Sequence, residues 1–293
     1  MSQPAISIII PVYNDAEGVS QTVDSLLAHT GLKTEIILVD NDSTDRTSDI
    51  AGDYADKHEH VTLVFEREIQ SSYAARNTGI DHATGDILCF LDADQRVTEG
   101  WLKTAVNYML DNDVDYLAPN IELEVAPDPT LTARYNLVSG FPIEQFISEH
   151  HYAPTSCLFV TRELVDDIGR FDERLVSGGD LEFGNRAYAA GYDLNFCPDA
   201  TVIHPTRNSF QALFGRNIRI GRGHCQLQQY HPDRYGRVGI PPRPSGIREQ
   251  QYDGSLNRWL YNLIALSMTA AHGLGYYHEC FSVLKTRLSR HLD

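Results

Sequence analysis

The sequence predicts an α/β fold in which helices cover both faces of a mostly parallel central sheet. Apolar runs of strand length alternate with helical segments over residues 1–118, and each run ends at a polar turn. Such alternation implies right-handed crossovers and parallel strands. Because 42% of the 293 residues are hydrophobic, a disordered chain is excluded.

The individual elements follow in order along the chain. Short apolar runs predict strands at 5–10, 35–39, 61–65, 86–91 and 114–118, the first of them stopped by Pro11. Helical spacing of apolar residues predicts helices from Asp15 to near Gly31, at 44–57, at 74–83 and after Thr98. In the second half we expect a strand at 156–161, a helix at 181–190 and extended segments at 195–197 and 201–203.

Charge is distributed unevenly along the chain. Lys and Arg total 24 against 40 Asp and Glu, a net charge of −16 that excludes broad binding to nucleic acid. Residues 201–258 instead hold nine arginines against three acidic residues. The acidic surplus has two equally weighted interpretations, which are solubility in a salt-rich cytoplasm and GC-biased codon usage.

The cysteines and the N-terminus both favour a cytoplasmic protein. Five scattered cysteines form no CxxC pair, which supports neither a disulfide framework nor a zinc ribbon. The first residues lack the basic region of a signal peptide. We therefore expect the cytoplasm, with the inner face of the cell membrane as an alternative location.

Polar residues follow four strands of the predicted parallel sheet, at 11–14, 40–43, 66–68 and 92–94. Ligands of open parallel sheets bind outside the carboxyl ends of the strands, so these segments predict a site. Asp92 and Asp94 can together hold a hard divalent cation whose other ligands are phosphate oxygens. The alternative is that both aspartates only form a turn.

Sequence motifs of several other α/β chemistries are absent. The chain has no G-x-G-x-x-G after the first strand, no P-loop, no G-x-S-x-G and no H-E-x-x-H. Phosphate is therefore expected to be bound by a metal ion and by arginine.

Seven ordered motifs resemble those of family 2 inverting glycosyltransferases, which have the GT-A fold. They are ISIIIPVYN, EIILVDNDSTDRT, SYAARNTGI, GDILCFLDAD, GRFDERL, GGDLEFGNRA and CPDATVIHP, within residues 5–205. The resemblance implies a nucleotide-diphospho-sugar donor and a divalent cation, Mn²⁺ or Mg²⁺. It also implies a nucleotide-sugar-binding half at 1–118 and an acceptor-binding half at 119–210. The remaining residues, 211–293, are expected to form an Arg-rich segment, a Gly- and Pro-rich loop or linker at 236–246 and a helical tail.

The same resemblance assigns site residues. Residues implied in donor binding are Pro11, Tyr13, Asp40, Asn41, Arg76, Asn77, Asp92 and Ala93. Asn41 stands where many relatives have a second Asp. The implied metal ligands are Asp92, Asp94 and His204.

Asp180 is the residue implied as the general base, which would take a proton from the acceptor hydroxyl. The family commonly reads Gly-Glu-Asp-x-Asp here, whereas this chain has Gly179 in place of the Glu and Glu182 in place of the last Asp. Glu182 is a candidate acceptor residue. Asp180 also fits the N-cap of the following helix, and both roles can coexist.

Two segments beyond the motifs have more than one interpretation. Arg216, Arg219 and Arg222 are spaced to share a helix face, as a diphosphate or acceptor clamp or as partners of nearby carboxylates. The nearly uncharged segment 259–278 fits buried packing or homo-oligomerisation, peripheral membrane contact, or a membrane span.

Together these features predict a metal-dependent, inverting glycosyltransferase that uses a nucleotide sugar, UDP-linked by preference. The acceptor would be a glycan, a lipid-linked sugar or a glycoprotein glycan in surface polysaccharide assembly or protein glycosylation. The alternatives are a sugar-1-phosphate nucleotidyltransferase, whose glycine-rich basic loop is missing from PVYNDAEGVS, and a non-catalytic binding protein of the same fold.

Overall fold

The computed structural model of the protein describes residues 4–29, 33–242 and 255–289. The strands are β1 (Ile6–Val12), β2 (Thr34–Asp40), β3 (Val61–Phe65), β4 (Ile87–Leu91), β5 (Arg96–Val97), β6 (Tyr116–Glu124), β7 (Cys157–Thr161) and β8 (Leu194–Pro205). The helices are α1 (Ala16–His29), α2 (Thr47–Lys57), α3 (Ser72–His82), α4 (Trp101–Asn112), α5 (Leu131–Ser139), α6 (Ile143–His150), α7 (Arg162–Ile168), α8 (Gly179–Ala190), α9 (Phe210–Tyr230), α10 (Pro232–Tyr235) and α11 (Ser255–Ser289).

Within the described residues, the strands form one sheet of eight in the order β3-β2-β1-β4-β7-β6-β8-β5. The first four strands of this order are parallel, whereas β7 runs antiparallel to β4 and β6, and β5 runs antiparallel to β8. The predicted α/β class with a helix-flanked sheet and a helical C-terminal extension is confirmed. The alternation of strands and helices along the chain did not predict that some strands would be antiparallel.

The sequence suggested that Pro11 stops the first strand. In the structure β1 continues to Val12. The register pairs Pro11 with Val39 of β2, while the pairing of β1 with β4 ends at Ile9 and Phe90. The N–H of Ile6 bonds towards β2, so in this alternating ladder residue 11 faces the β4 side. The sheet therefore loses no backbone hydrogen bond through the missing N–H of Pro11.

The chain divides into two compact units. The first comprises Met1–Glu122, Phe141–Glu173 and Gly179–Pro205, and it holds the sheet, with β6 as far as Glu122, and helices α1–α4 and α6–α8. Its strands β1, β2 and β4 are almost wholly buried. That burial explains their near-continuous apolar sequences.

The second unit comprises Leu123–Gly140, Arg174–Gly178 and Thr206–Asp293, with helices α5, α9, α10 and α11. A cluster of Tyr135, Leu213, Tyr261, Ile264 and Met268 forms one part of its core. Among the described residues, no helix is both long enough and apolar enough to cross a membrane.

Some sequence expectations are adjusted by these bounds. The extended segments expected at 195–197 and 201–203 form one continuous strand, β8. The strand expected at 114–118 begins at Tyr116 and runs to Glu124. The loop expected at 236–246 is irregular over 236–242, while its remaining residues, like Gly31, lie outside the described residues.

Candidate active site

Two aspartates and one histidine meet at the carboxyl end of β4. One ligand atom each from Asp92, Asp94 and His204 lies within 4.8 Å of the others. His204 Nε2 is 3.9 Å from Asp94 Oδ1. Asp92 and Asp94 follow β4 directly, and the antiparallel pair of Arg96 with Ile203 brings the next residue of β8, His204, beside that loop.

The His204 ring is fixed by a second contact. Its Nδ1 lies 2.8 Å from the carbonyl oxygen of Pro205, and the ring packs 5.5 Å from that of Phe141. Because a carbonyl only accepts, Nδ1 carries a hydrogen, and Nε2, on the side of Asp94, is the ring nitrogen that a metal ion can use. Two carboxylates and an imidazole nitrogen form a donor set suited to a divalent cation such as Mn²⁺.

Arg76 on α3 lies next to this cluster. The residue is buried, and its guanidinium donates to Asp92 Oδ1 at 2.7 Å and to the Ser72 carbonyl at 3.3 Å. Its Nε has no hydrogen-bond partner among the described residues. An arginine placed in this way can add a bond to an incoming phosphate without giving up its carboxylate partner.

The end of β2 presents acceptor oxygens. Asp40 Oδ2 accepts from the Ser48 hydroxyl at 2.7 Å, while the buried Oδ1 has no partner in the described part of the chain. Asn41 donates both amide hydrogens, to the carbonyl oxygens of Glu66 at 3.1 Å and Ile69 at 2.9 Å. These two carbonyls fix the orientation of the amide, so Asn41 Oδ1 is the atom that remains for a ligand.

In the described part of the chain, most buried polar side-chain atoms without a hydrogen-bond partner lie at this end of the sheet. Besides the two atoms of Asp40 and Arg76, they include both amide atoms of Gln95 and the hydroxyl of Ser156. Ser156 is adjacent to the cluster, because its carbonyl accepts from the Asp92 N–H at 3.0 Å. A buried polar atom left unpaired costs about 1–3 kcal/mol, so these residues fit a site that a polar ligand completes.

Asp180 lies in the first turn of α8, and Tyr73 of α3 holds that turn. The Tyr73 hydroxyl lies beside the backbone N–H groups of Gly179 and Asp180, which a helix start leaves without an intrahelical partner. Burial raises the pKa of the Tyr73 hydroxyl and the Asp180 carboxylate raises it further, so this group stays protonated. The Arg76 guanidinium lies 5.8 Å from the centre of the same ring.

The Tyr73 ring also explains the glycine at position 179. A Cβ on Gly179 would lie 2.7 Å from two carbons of that ring. Any larger residue, including the glutamate common in the family, would have to displace a buried aromatic side chain. The departure from the family pattern is thus matched by a tyrosine that occupies the space.

Three candidate residues have contacts that differ from their expected roles. Asn77 bonds through its amide to the backbone of Phe171 and to Glu173, so these contacts do not support a role in facing the donor. Glu182 is buried and forms an ion pair with Arg186 at 2.8 Å, which occupies the expected acceptor group.

Arg222 is the third such residue. It pairs with Glu279 at 2.9 Å within the second unit, which agrees with the alternative that these arginines pair with nearby carboxylates. Arg219 on the same helix is exposed and Arg216 is half-buried.

The other expected donor residues lie at the same end of the sheet. Tyr13 directly follows β1 and is exposed, Pro11 is the penultimate residue of that strand, and Ala93 is buried between the two aspartates. Gly18 allows α1 to approach, since a Cβ there would lie 2.7 Å from the Ala93 carbonyl oxygen.

Sequence reasoning missed Tyr73, Gln95 and Ser156. Tyr73 had a usable signal, because an unexpected glycine at position 179 implies that another group fills the space. Gln95 and Ser156 had none, since a single polar residue beside a strand is ordinary in sequence.

Comparison with known proteins agrees with this geometry. The family model described as Glycosyl transferase family 2 matches residues 7–168. Glycosyltransferase AglE of Haloferax volcanii is 37% identical over 226 residues, covering 76% of this chain and 74% of the relative. The pre-mycofactocin glycosyltransferase of Mycobacterium tuberculosis is 29% identical over 78% of this chain, which matches 48% of that relative's length.

Solved structures share the fold. The mannosyltransferase PcManGT from Pyrobaculum calidifontis, in complex with GDP-Man and Mn²⁺, aligns with a TM-score of 0.62 and 21% identity over 100% of this chain and 81% of its own. TarS 1–349 of S. aureus in complex with UDP-GlcNAc aligns with a TM-score of 0.55 and 21% identity over 79% and 70%. At these identities the likeness shows the fold alone.

Gly179→Ala tests the contact between α8 and the Tyr73 ring. We expect it to lower the free energy of unfolding by about 1–3 kcal/mol, because the added methyl overpacks a buried site. Chemical denaturation measures the loss, and Gly52→Ala is the control, since its Cβ would meet only Leu63 at 3.9 Å. Combining Gly179→Ala with Tyr73→Ala should cost less than the sum of both, and strict additivity would contradict the contact.

Proposed function

Because the chain belongs to glycosyl transferase family 2, we propose that it transfers a sugar from a nucleotide-diphospho-sugar to an acceptor hydroxyl, with inversion at the anomeric carbon and dependence on a divalent cation. The observation that supports this most is the convergence of Asp92, Asp94 and His204 on one small volume. Membership of the family also displaces the nucleotidyltransferase alternative.

We propose that Asp92, Asp94 and His204 hold Mn²⁺, because an imidazole ligand suits this ion better than the strongly oxygen-selective Mg²⁺. A cation bound there would neutralise charge on the departing nucleoside diphosphate. Arg76 adds a second positive group on the same side, held in place by its bond to Asp92. These residues would bind the part of the donor that leaves.

Asp180 is the proposed general base. As the acceptor oxygen bonds to the anomeric carbon, Asp180 takes the hydroxyl proton and the bond from that carbon to the diphosphate oxygen breaks. A single displacement of this kind inverts the anomeric centre. The Tyr73 ring packs against Gly179, in the helix turn that carries the carboxylate. Tyr73 is therefore a positioning residue.

Asn41 gives the donor pocket a preference among nucleobases. With both amide hydrogens donated to backbone carbonyls, it offers an acceptor oxygen, as an aspartate there would. Uracil and guanine carry an imide N–H that can donate to it, whereas cytosine and adenine present a lone pair at that position. A UDP-linked donor is our first choice and a GDP-linked donor is the alternative.

We propose a glycan, a lipid-linked sugar or a glycoprotein glycan as the acceptor. Relatives and structural neighbours named as glycosyltransferases support the reaction class, and a complex of one neighbour with UDP-GlcNAc supports the donor class.

Removing a metal ligand should weaken donor binding. We expect Mn²⁺ to raise the affinity for UDP by about tenfold or more, and Asp94→Asn to abolish that gain, because the ion loses a charged ligand. Isothermal titration with Mn²⁺ or with a chelator measures the effect. Asp111→Asn, at an exposed position on α4, is the matched control. Equal affinity for UDP with and without the chelator would contradict the metal site.

Replacing the proposed base should separate binding from transfer. Asp180→Asn is expected to lower the rate of sugar transfer or donor hydrolysis by about 100- to 10,000-fold while UDP affinity changes less than about twofold. Release of UDP from a panel of UDP-sugars measures the rate. The control is Asp193→Asn, an exposed aspartate of the same unit. Undiminished turnover in Asp180→Asn would refute the assignment.

The preference among nucleobases can be measured with the wild-type protein. UDP and GDP should bind about 10- to 100-fold more tightly than CDP and ADP, because an acceptor facing an acceptor leaves Asn41 Oδ1 unpaired. UDP and CDP form a matched pair that differs at the relevant edge of one ring. Competition against a fluorescent nucleotide measures the ratio, and tight binding of CDP would show that Asn41 does not face the base.

A further inference from the structure

Helix α11 presents an apolar stripe to solvent. Its exposed members are Trp259, Leu263, Leu266, Leu274, Tyr277 and Phe281. They recur every three or four residues, apart from a gap that the exposed Ala270 fills, so they lie along one side of the helix. Leu266, Leu274 and Phe281 are 67%, 61% and 63% exposed. A row of this length on one helix far exceeds the isolated exposed apolar residues that are normal on a protein surface.

The stripe is distinct from the face of α11 that forms the core of the second unit. Ile264 and Met268 pack against Leu213, and Tyr276 packs with Cys225 and Cys280. The helix therefore has one apolar face that packs within its unit and another that solvent reaches. Packing within the second unit explains only the first of them.

The second unit is also the basic part of an acidic protein. Its residues include 14 Arg and Lys against 7 Asp and Glu, a formal charge of +7 in a chain whose total is −16. Arg258 is exposed one residue before the stripe begins. The exposed Arg237 lies in a segment held against α11, because the Gly239 N–H donates to the Tyr276 hydroxyl at 2.8 Å. Val238 and Ile240 of that segment are exposed as well.

We propose that the α11 stripe lies on the surface of a membrane that contains anionic lipids. A helix that lies in the plane of the membrane buries its whole apolar stripe at the boundary between headgroups and acyl chains, where Trp, Tyr and Leu side chains are all favourable. Arginines beside an apolar stripe add attraction to negatively charged lipid. A second copy of the chain is a poorer occupant, because a symmetric contact would bring two units of +7 together.

Vesicle flotation of the full chain tests the proposal. The protein should float with vesicles of equal parts phosphatidylcholine and phosphatidylglycerol, and less with phosphatidylcholine alone. The combined variant Leu266→Gln, Leu274→Gln and Phe281→Gln should lower the partition coefficient by at least about tenfold, because burial of three apolar side chains is lost. Leu110→Gln, at a 56% exposed leucine of the first unit, is the control and should float like the wild type.

A charge variant gives a second, independent measurement. Arg237→Gln with Arg258→Gln should weaken binding to the anionic vesicles by about fivefold per arginine and leave binding to neutral vesicles unchanged. Circular dichroism checks that each variant keeps its helix content, and UDP titration checks that the donor site is intact, which separates this surface from the proposed reaction.

Two results would overturn the proposal. One is a wild-type protein that stays unbound with both vesicle types. The other is a wild-type dimer, seen by light scattering, that the stripe variant converts to a monomer while vesicle binding is unaffected, since the stripe would then be covered by a second copy.

Discussion

An ion pair between the buried Arg76 and the part-exposed Asp92 is the constraint on which the proposed donor side of the site depends. Arg76 is 3% exposed, the Asp92 side chain is 36% exposed and the two charged groups are 2.7 Å apart, so removal of Asp92 would leave a buried guanidinium without its charge partner. The pair links α3 to the loop after β4. Through the adjacent Tyr73 ring, which lies against Gly179, α3 also contacts the first turn of α8. One helix therefore contacts both Asp92 and the turn that carries the proposed base.

The sequence predicted the parallel half of the sheet well because three of its four strands, β1, β2 and β4, are almost wholly buried. Buried strands give continuous apolar runs, as in β2 and β4, and the polar residue that ends each run lies at the carboxyl edge. Asp40 and Asp92 could be placed there from local pattern alone. His204 could not, because its approach to Asp94 comes from the antiparallel register of β5 and β8, two strands about 100 residues apart. Only the family resemblance pointed to it.

Other features depend on contacts that a linear pattern does not record. The direction of the Asn41 amide is set by two carbonyls from the loop after β3, and Asn77 is bonded to a segment more than 90 residues away. In sequence Gly179 was only a departure from the family pattern, whereas the structure shows a tyrosine in the space that a larger side chain would need. Glu182 and Arg186 are four residues apart, so their pairing was available from helical spacing.

The charge of the first unit explains why the proposed reaction would need a cation and an arginine together. Its residues hold 33 Asp and Glu against 10 Arg and Lys, a field that repels a nucleoside diphosphate. Without a cation, the charge of Arg76 is balanced by Asp92 and offers the donor little net attraction. A divalent cation on Asp92 and Asp94 would balance both carboxylates, and the guanidinium would then be an unbalanced positive charge beside it. Binding of the metal ion and of the diphosphate would therefore depend on each other in this site. The ion would raise donor affinity both by binding the diphosphate and by leaving the charge of Arg76 free to attract it.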